Sequence, residues 1–374
     1  MRLTARGVAL LVVSVLLLVA AEWLGYLLFR VLGAIGLAAV AAAVAVTARG
    51  LRVDVAREVY PDRVERGSPA LAKLQVHNRA THRQRGFDAF DKAGSAVRTV
   101  RIRPLAPDAE ATYRYELPTG TRGRIPVGPL ALHRVDPFGL ARNRLAAGEV
   151  ATLWVHPRRH PARALIGGYP RHHHDGATTD DSLRGSLDLR DVREYQPGDE
   201  VRHLHWKATA RTGRMMVRDY ADPQQPRFTL LLDTRSATFP PAVFEEAVDV
   251  AASLLHASAI AGHHTRLVCS GGADLATSGG TLASRLLLDE LCQLGQDAGQ
   301  ALVPRELTAG RDQGGCLMVV TTGGLDGLAG LRPRYSSLFL VDLLPGEPFA
   351  VPGVRVISAA DAAHAVRRWN EVAG

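Results

Sequence analysis

A chain of 374 residues in which 47% are hydrophobic can bury more than one core, and no long polar tract marks it as disordered. Three scattered cysteines, Cys269, Cys292 and Cys316, exclude a disulfide framework and fit a reducing compartment. The net charge of +8 is unevenly spread: +3 over residues 1–51, +9 over 52–160, zero over 161–226 and −4 over 227–374. Positive charge thus sits nearest the apolar N-terminus. An anionic lipid surface accounts for that better than nucleic acid, since no nucleic-acid module accompanies the arginines; nucleic-acid binding through 52–160 remains the rival reading.

Residues 8–21 carry no charge, Glu22-Trp23-Leu24-Gly25-Tyr26 follows, and a second apolar run covers 27–48. A single span needs about 20 apolar residues, so the stretch suits two helices joined tightly. Glu22 is costly at a bilayer centre but cheap at a turn, and Trp23 and Tyr26 suit an interface to which Arg30 can snorkel. Arg2 and Arg6 precede the first run, and Arg49, Arg52 and Arg57 follow the second. The flanks predict a two-span hairpin in the cell membrane with a cytoplasmic body. A cleaved signal peptide would leave the second apolar run unexplained.

Residues 51–155 read as an antiparallel β-sandwich-like domain. Tyr113, Tyr115 and Leu117 alternate with polar residues, Val97, Val100 and Ile102 do so imperfectly, and breakers recur at Gly67-Ser68-Pro69, Pro104, Pro107, Pro118 and Gly120. The region ends near Asp136-Pro137-Phe138-Gly139-Leu140, a turn signature in which Asp136 can bond amides and Gly139 permits a positive φ.

Residues 156–226 read as a linker with a dense polar block. Pro197-Gly198-Asp199 is a turn signal, and Asp199 suits the N-cap of a helix carrying Val201, Leu204 and Ala208 on one face and ending at Gly213. His203 and His205 fall about 200° apart on such a helix, which is wrong for a metal pair. His172-His173-His174-Asp175 lies in a Gly-, Pro- and Thr-rich connection and reads as a solvated loop. The mixture of Asp, Arg, Trp and Lys reads as an ion-pair and capping network.

Arg193-Glu194-Tyr195-x-Pro197-Gly198-Asp199, followed by Arg202-x-Leu204-His205-Trp206-Lys207-Ala208-x-Ala210-Arg211-x-Gly213, resembles the signature of the domain-of-unknown-function 58 family. The turn at 136–140 and the paired-helix N-terminus are similar to that family as well. The resemblance implies a membrane-anchored bacterial protein with a C-terminal von Willebrand factor A-like domain, a companion of MoxR-type AAA+ ATPases.

Residues 227–374 independently read as α/β. Apolar strands are expected at 228–232, 267–269, 317–320, 338–341 and 354–357, with helices at 245–260, 282–294 and 359–372. That alternation predicts a doubly wound parallel sheet, whose ligands bind beyond the strand carboxyl ends; Asp233, Thr321, Thr322 and Asp342 fall there. The resemblance sets an Asp-x-Ser-x-Ser metal loop against Asp233, Arg235 and Ala237. Two oxygen ligands are missing, Arg235 brings a positive charge, and the later Thr321-Thr322-Gly323-Gly324 lacks an acid, with Asp326 further along. A metal-independent interaction domain is expected, with no metal and no cofactor.

No phosphate-binding loop, dinucleotide fingerprint, nucleophile elbow or His-Glu-x-x-His motif occurs. Cys269 ends an apolar strand and reads as core. The expectation is a non-enzymatic membrane adaptor for a MoxR-type AAA+ ATPase in envelope-related assembly. The alternative is a hydrolase centred on Asp199, His205 and Lys207.

Overall fold

The computed structural model describes residues 2–48, 53–165, 188–194, 204–221, 227–309, 314–323, 325, 327–344 and 352–373. The chain forms two compact units, Met1–His156 and Pro157–Gly374.

The first unit opens on β1 (Arg2–Leu3) and two helices, α1 (Ala5–Leu24) and α2 (Leu27–Ala48). Both helices are long and apolar enough to cross a membrane. Thr4 caps α1, its side chain accepting from the Gly7 amide, and Gly25 at φ 69° ends it. Small residues let the pair approach closely: a Cβ on Gly36 would fall 2.0 Å from Ser14 Oγ, and one on Gly33 2.7 Å from Leu18 Cγ. At the turn, Arg30 is engaged by Glu22 at 2.9 Å.

The strands that follow are β2 (Val53–Tyr60), β3 (Arg63–Glu65), β4 (Leu71–Asn78), β5 (Phe87–Ala93), β6 (Ala96–Ile102), β7 (Glu110–Glu116), β8 (Gly123–Val127), β9 (Leu130–Val135), β10 (Ala141–Ala147) and β11 (Ala151–His156). One sheet has the order β2-β4-β7; the other runs β1-β10-β9-β5-β8-β11-β3, with β6 beside β5. Pairing is antiparallel except where β11 meets β3. The period-2 pattern of β4 turns Leu74 and Val76 inward against Phe87, Ala89, Leu130 and Leu132 of the facing sheet. The two apolar faces therefore pack against each other to form a core.

A buried ion pair crosses that core. Arg57 Nη1 on β2 lies 2.9 Å from Asp91 Oδ1 on β5, with both side chains almost fully enclosed, and Tyr115 on β7 donates its hydroxyl to Asp91. Arg57 also donates to the Glu149 carbonyl. Gly128, at φ 94°, lies over the guanidinium, where a Cβ would fall 2.3 Å from Nη1.

The second unit contains β12 (Asp188–Glu194), α3 (Trp206–Thr212), β13 (Met216–Ala221), β14 (Arg227–Leu232), α4 (Pro241–Ile260), β15 (His264–Cys269), β16 (Asp274–Thr277), α5 (Gly280–Gln293), α6 (Arg305–Ala309), β17 (Cys316–Val320), β18 (Ser337–Asp342), β19 (Arg355–Ser358) and α7 (Ala362–Ala373). Strands β12 and β13 pair antiparallel. The main sheet has the order β16-β15-β14-β17-β18-β19, parallel except at the β16 edge. Its central strands are buried along nearly their whole length, as a sheet covered on both faces requires. Helices α4, α5 and α7 cover one face, where Trp369 packs edge-on to Phe339. Leu302, Leu307, Leu328 and Leu331 cover the other.

The first residues expected to form a linker lie instead along the helices of this unit. The Arg158 amide donates to Asp249 Oδ1, the His160 amide to Ser253 Oγ, and Trp369 Nε1 to the Arg163 carbonyl, each within 2.8–2.9 Å.

Candidate functional site

The parallel register assembles a polar row at the carboxyl ends of the strands. Leu232 of β14 is opposite Cys269 of β15 and Val320 of β17, and Val320 is opposite Val341 of β18. One residue further on, Ser270, Asp233, Thr321 and Asp342 line up across the edge. Sheets of this kind bind their ligands here, because the strand ends and the following loops form a crevice.

Asp233 is fully buried and held from several sides. Arg235 Nε donates to Oδ1 at 2.9 Å and Arg235 Nη2 to Oδ2 at 2.8 Å, a bidentate clamp made two residues along the chain. Thr321 Oγ1 donates to Oδ2 at 2.7 Å, and the Arg235 amide donates to Oδ1 at 3.1 Å. Burial alone would raise the Asp233 carboxyl, but the hydrogen bonds from Arg235 and Thr321 outweigh it and leave the group below its ordinary range. The rest of the guanidinium donates to the Gln300 and Gly323 carbonyls at 3.2 and 3.1 Å. Asp342 is the counterpoint: burial raises its carboxyl, against a backbone hydrogen bond from Leu344 that lowers it.

A second layer supports the loop. Thr234 Oγ1 lies 2.9 Å from Ser270 Oγ, donates to Asp297, and accepts from the Gly271 amide at 3.0 Å. The Asp297 amide donates to the Thr234 carbonyl and the Ser236 amide to the Asp297 carbonyl, both at 2.7 Å. A Cβ on Gly271 would fall 2.3 Å from Asp297 Oδ2, so only glycine permits this approach. Sequence reasoning did not find Thr234, Ser270 or Asp297. The Gly271-Gly272 pair after a strand was the available signal.

These residues do not fit a divalent metal. The Arg235 guanidinium fills the volume against Asp233 that a cation would need, and Ala237 offers no oxygen. Thr322 is turned elsewhere, donating to the Thr238 carbonyl at 2.8 Å. Gly324 and Asp326 lie outside the described residues.

The central motif resolves differently from its expected form. Helix α3 begins at Trp206, and His205 caps it: its Nδ1 accepts from the Ala208 amide at 3.0 Å while its own amide donates to the Met216 carbonyl at 2.7 Å. Leu204, expected inside the helix, precedes it and is buried. Thr209 Oγ1 accepts from the Met216 amide at 3.0 Å, tying α3 to β13, and Gly213 at φ 70° ends the helix. Trp206, 68% exposed, and Lys207, Ala210 and Arg211 face solvent. Glu194 forms a surface pair with Arg214 at 3.3 Å, and Arg193 lies in β12. Tyr195, Pro197, Gly198, Asp199, Val201, Arg202 and His203 lie outside the described residues, as do His172, His173, His174 and Asp175. His205 and Lys207 are therefore not gathered into a pocket: one caps a helix and the other is exposed.

Cys269 and Cys316 are buried, and burial pushes both thiols up to about 12, far from thiolate chemistry at neutral pH.

Comparison with known proteins agrees with the motif. The family model described as "Protein of unknown function DUF58" matches residues 191–296. The uncharacterized protein YeaD of Bacillus subtilis (strain 168) is 29% identical over 181 residues, covering 46% of this chain. The match spans 42% of that relative's own length. Both findings support the family resemblance. Among solved structures, the DNA-bound alkylpurine DNA glycosylase AlkC of Pseudomonas fluorescens is similar at 14% identity and a TM-score of 0.20, over 28% of this chain and 32% of that one. A β-glucosidase from Listeria innocua in complex with glucose is similar at 10% identity and a TM-score of 0.17, over 28% of this chain and 16% of that one. Likenesses at that level carry no argument about fold or activity.

Proposed function

We propose that this protein is a non-enzymatic adaptor anchored in the cell membrane by α1 and α2, with its body cytoplasmic. In this reading the α/β domain is von Willebrand factor A-like but metal-independent, and its partner is a MoxR-type AAA+ ATPase, as the family resemblance implies. The observation that carries the reading is the exposed face of α3. Trp206 and Ala210 lie one turn apart, as do Lys207 and Arg211, and all four are exposed. An unpacked tryptophan flanked by cations has the composition of an interface anchor. His205 is committed to capping that helix, which argues for a recognition element over a hydrolytic centre. The strand-end crevice already contains its own cation in Arg235, so partner engagement there needs no metal bridge.

The test is direct binding of the purified cognate ATPase to the full chain in lipid nanodiscs. Trp206→Ala should weaken binding by roughly thirtyfold, since interface anchors contribute about 2 kcal/mol or more. Its melting temperature should match the wild type, because Trp206 packs against little. Absence of binding, or binding indifferent to Trp206→Ala, overturns the reading.

A further inference from the structure

The turn at 136–140 is built into the base of the helical pair. Asp136 is buried and spends its carboxylate on the turn itself, accepting from the Phe138 amide at 2.9 Å and the Ala141 amide at 2.6 Å. The Thr4 hydroxyl that caps α1 donates to the Gly139 carbonyl at 2.5 Å, and the Thr4 amide donates to the Leu140 carbonyl at 2.9 Å. Strand β1 pairs with β10, setting Arg2 opposite Arg142 and Leu3 opposite Ala141. The Asn143 side chain donates to the Thr47 carbonyl in the last turn of α2 at 3.3 Å. Leu140 and Ala141 pack with Ala43, and with Leu10 and Ala39 beside them. The two helix ends and the β9–β10 turn are therefore one packed body.

The direction of the strands decides where the turn points. Because β1 and β10 are antiparallel, the turn before β10 extends the way the chain runs as it enters α1. A Cβ on Gly7 would fall 2.0 Å from the Leu140 carbonyl oxygen, so the turn lies alongside the first turn of that helix. Twenty helical residues rise about 30 Å, the thickness of a bilayer's hydrocarbon core. Ala5 then stands at the hydrocarbon boundary, and the turn stands there with it. At its tip Phe138 is 76% exposed, a large aromatic turned away from the unit that carries it. Arg2, Arg6 and Arg142 stand on the elements that adjoin the turn, all exposed, and among the described residues no acidic side chain pairs with them. Like charges directly opposite on neighbouring strands repel, so the Arg2–Arg142 pairing calls for an external anion.

We propose that the turn at 136–140 is a membrane-inserted wedge, with Phe138 seated at the headgroup–acyl boundary and Arg2, Arg6 and Arg142 holding anionic lipid headgroups around it. The inference rests on the anchoring reading of α1 and α2. Aromatic side chains concentrate at that depth of the bilayer, and basic residues beside them gain from an anionic leaflet. The neighbouring His133 senses the same field: burial first, then Arg144 and Arg142, hold its imidazole below the ordinary value. The wedge makes the β-sheet unit a rigid extension of the anchor, held to the lipid at a third point.

The test uses thiol-directed spin labels on the full chain in phosphatidylcholine vesicles, with and without phosphatidylglycerol. Cys269, Cys292 and Cys316 are buried, so a label enters only at the introduced site. Three single variants are compared: Phe138→Cys at the turn, Leu16→Cys in the middle of α1, and Val150→Cys in the turn after β10. Collision with oxygen, which favours lipid, is measured against collision with a water-soluble nickel chelate. Label 16 should be lipid-like and label 150 water-like. Label 138 should favour oxygen severalfold over label 150, more so with phosphatidylglycerol, and Arg142→Gln should reduce that increment. If label 16 is lipid-like while label 138 matches label 150, the wedge is overturned and the anchor stands, leaving Phe138 to a protein partner. If label 16 is itself water-like, the anchoring reading falls and takes the wedge with it. A label 138 indifferent to phosphatidylglycerol overturns the headgroup role of the arginines.

Discussion

Each unit buries an arginine–aspartate pair, and the two pairs have opposite architecture. Arg57 and Asp91 come from facing sheets of the β unit, 34 residues apart, and Tyr115 completes the contact from a third strand. Arg235 and Asp233 are two residues apart in one loop, at the open carboxyl edge of a parallel sheet. The first pair connects layers and is sealed on every side. The second is a local pair, Arg235 folding back to neutralise a carboxylate that its own loop has buried, while the rest of its guanidinium reaches the Gln300 and Gly323 carbonyls. A buried pair within a core is seldom a net gain over apolar packing, but breaking it by removing one partner is expensive. The same chemistry thus acts as a sheet-to-sheet lock in one unit and as an internal cation at the open carboxyl edge of a parallel sheet in the other.

Breaking the lock should have the largest effect. Asp91→Ala leaves Arg57 buried without its counter-charge and should cost about 3–5 kcal/mol, read as a fall in the denaturation midpoint of the β unit. Arg235→Ala should cost less, about 2–3 kcal/mol, because Asp233 at the sheet edge can recruit water or a cation. Millimolar magnesium should then restore part of the lost melting temperature in that variant, and no added cation should do so for Asp91→Ala. Equal rescue of both would erase the distinction between lock and internal cation.

The two strand-end carboxylates sharpen the comparison through pH. Asp233 is depressed in the folded protein, so its contribution is present above the unfolded carboxylate value of about 4 and is lost as pH falls through the lower folded value. Asp342 is raised, so ionising it costs stability as pH rises through its folded value. Asp342→Asn keeps an acceptor for the Leu344 amide and should raise the melting temperature at pH 7 while leaving it near wild type at pH 4. A parallel shift at both pH values would contradict the assignment. The smallest expected effect is at the motif helix: His205→Ala removes the α3 cap and should cost about 1 kcal/mol, read by local hydrogen exchange.

The comparison also marks how far the sequence could be read. Strands β14, β17 and β18 were legible because a sheet covered on both faces demands unbroken apolar runs. Strand β16 was not, since Asp274–Thr277 is a four-residue edge with a single leucine. Helix α4 starts at Pro241, earlier than its apolar period suggests, because proline suits the first helical position. The positive charge of Arg235 beside Asp233 was visible in the sequence, but only the family resemblance set those positions against a metal loop. The Thr234–Asp297 contact was not visible, because it joins loops 63 residues apart. Capping by the His205 ring was hidden for another reason: histidine is a less common cap than the aspartate expected there.

The claim that the α/β edge carries its own cation is tested most directly by titration calorimetry with magnesium on the wild type and on the double variant Arg235→Ser, Ala237→Ser. The account predicts no stoichiometric heat for the wild type, because the Arg235 guanidinium holds both oxygens of Asp233. It predicts one-to-one binding for the double variant, where two hydroxyls and the freed carboxylate supply hard oxygen ligands. Stoichiometric magnesium binding by the wild type, abolished by Asp233→Asn, would contradict it.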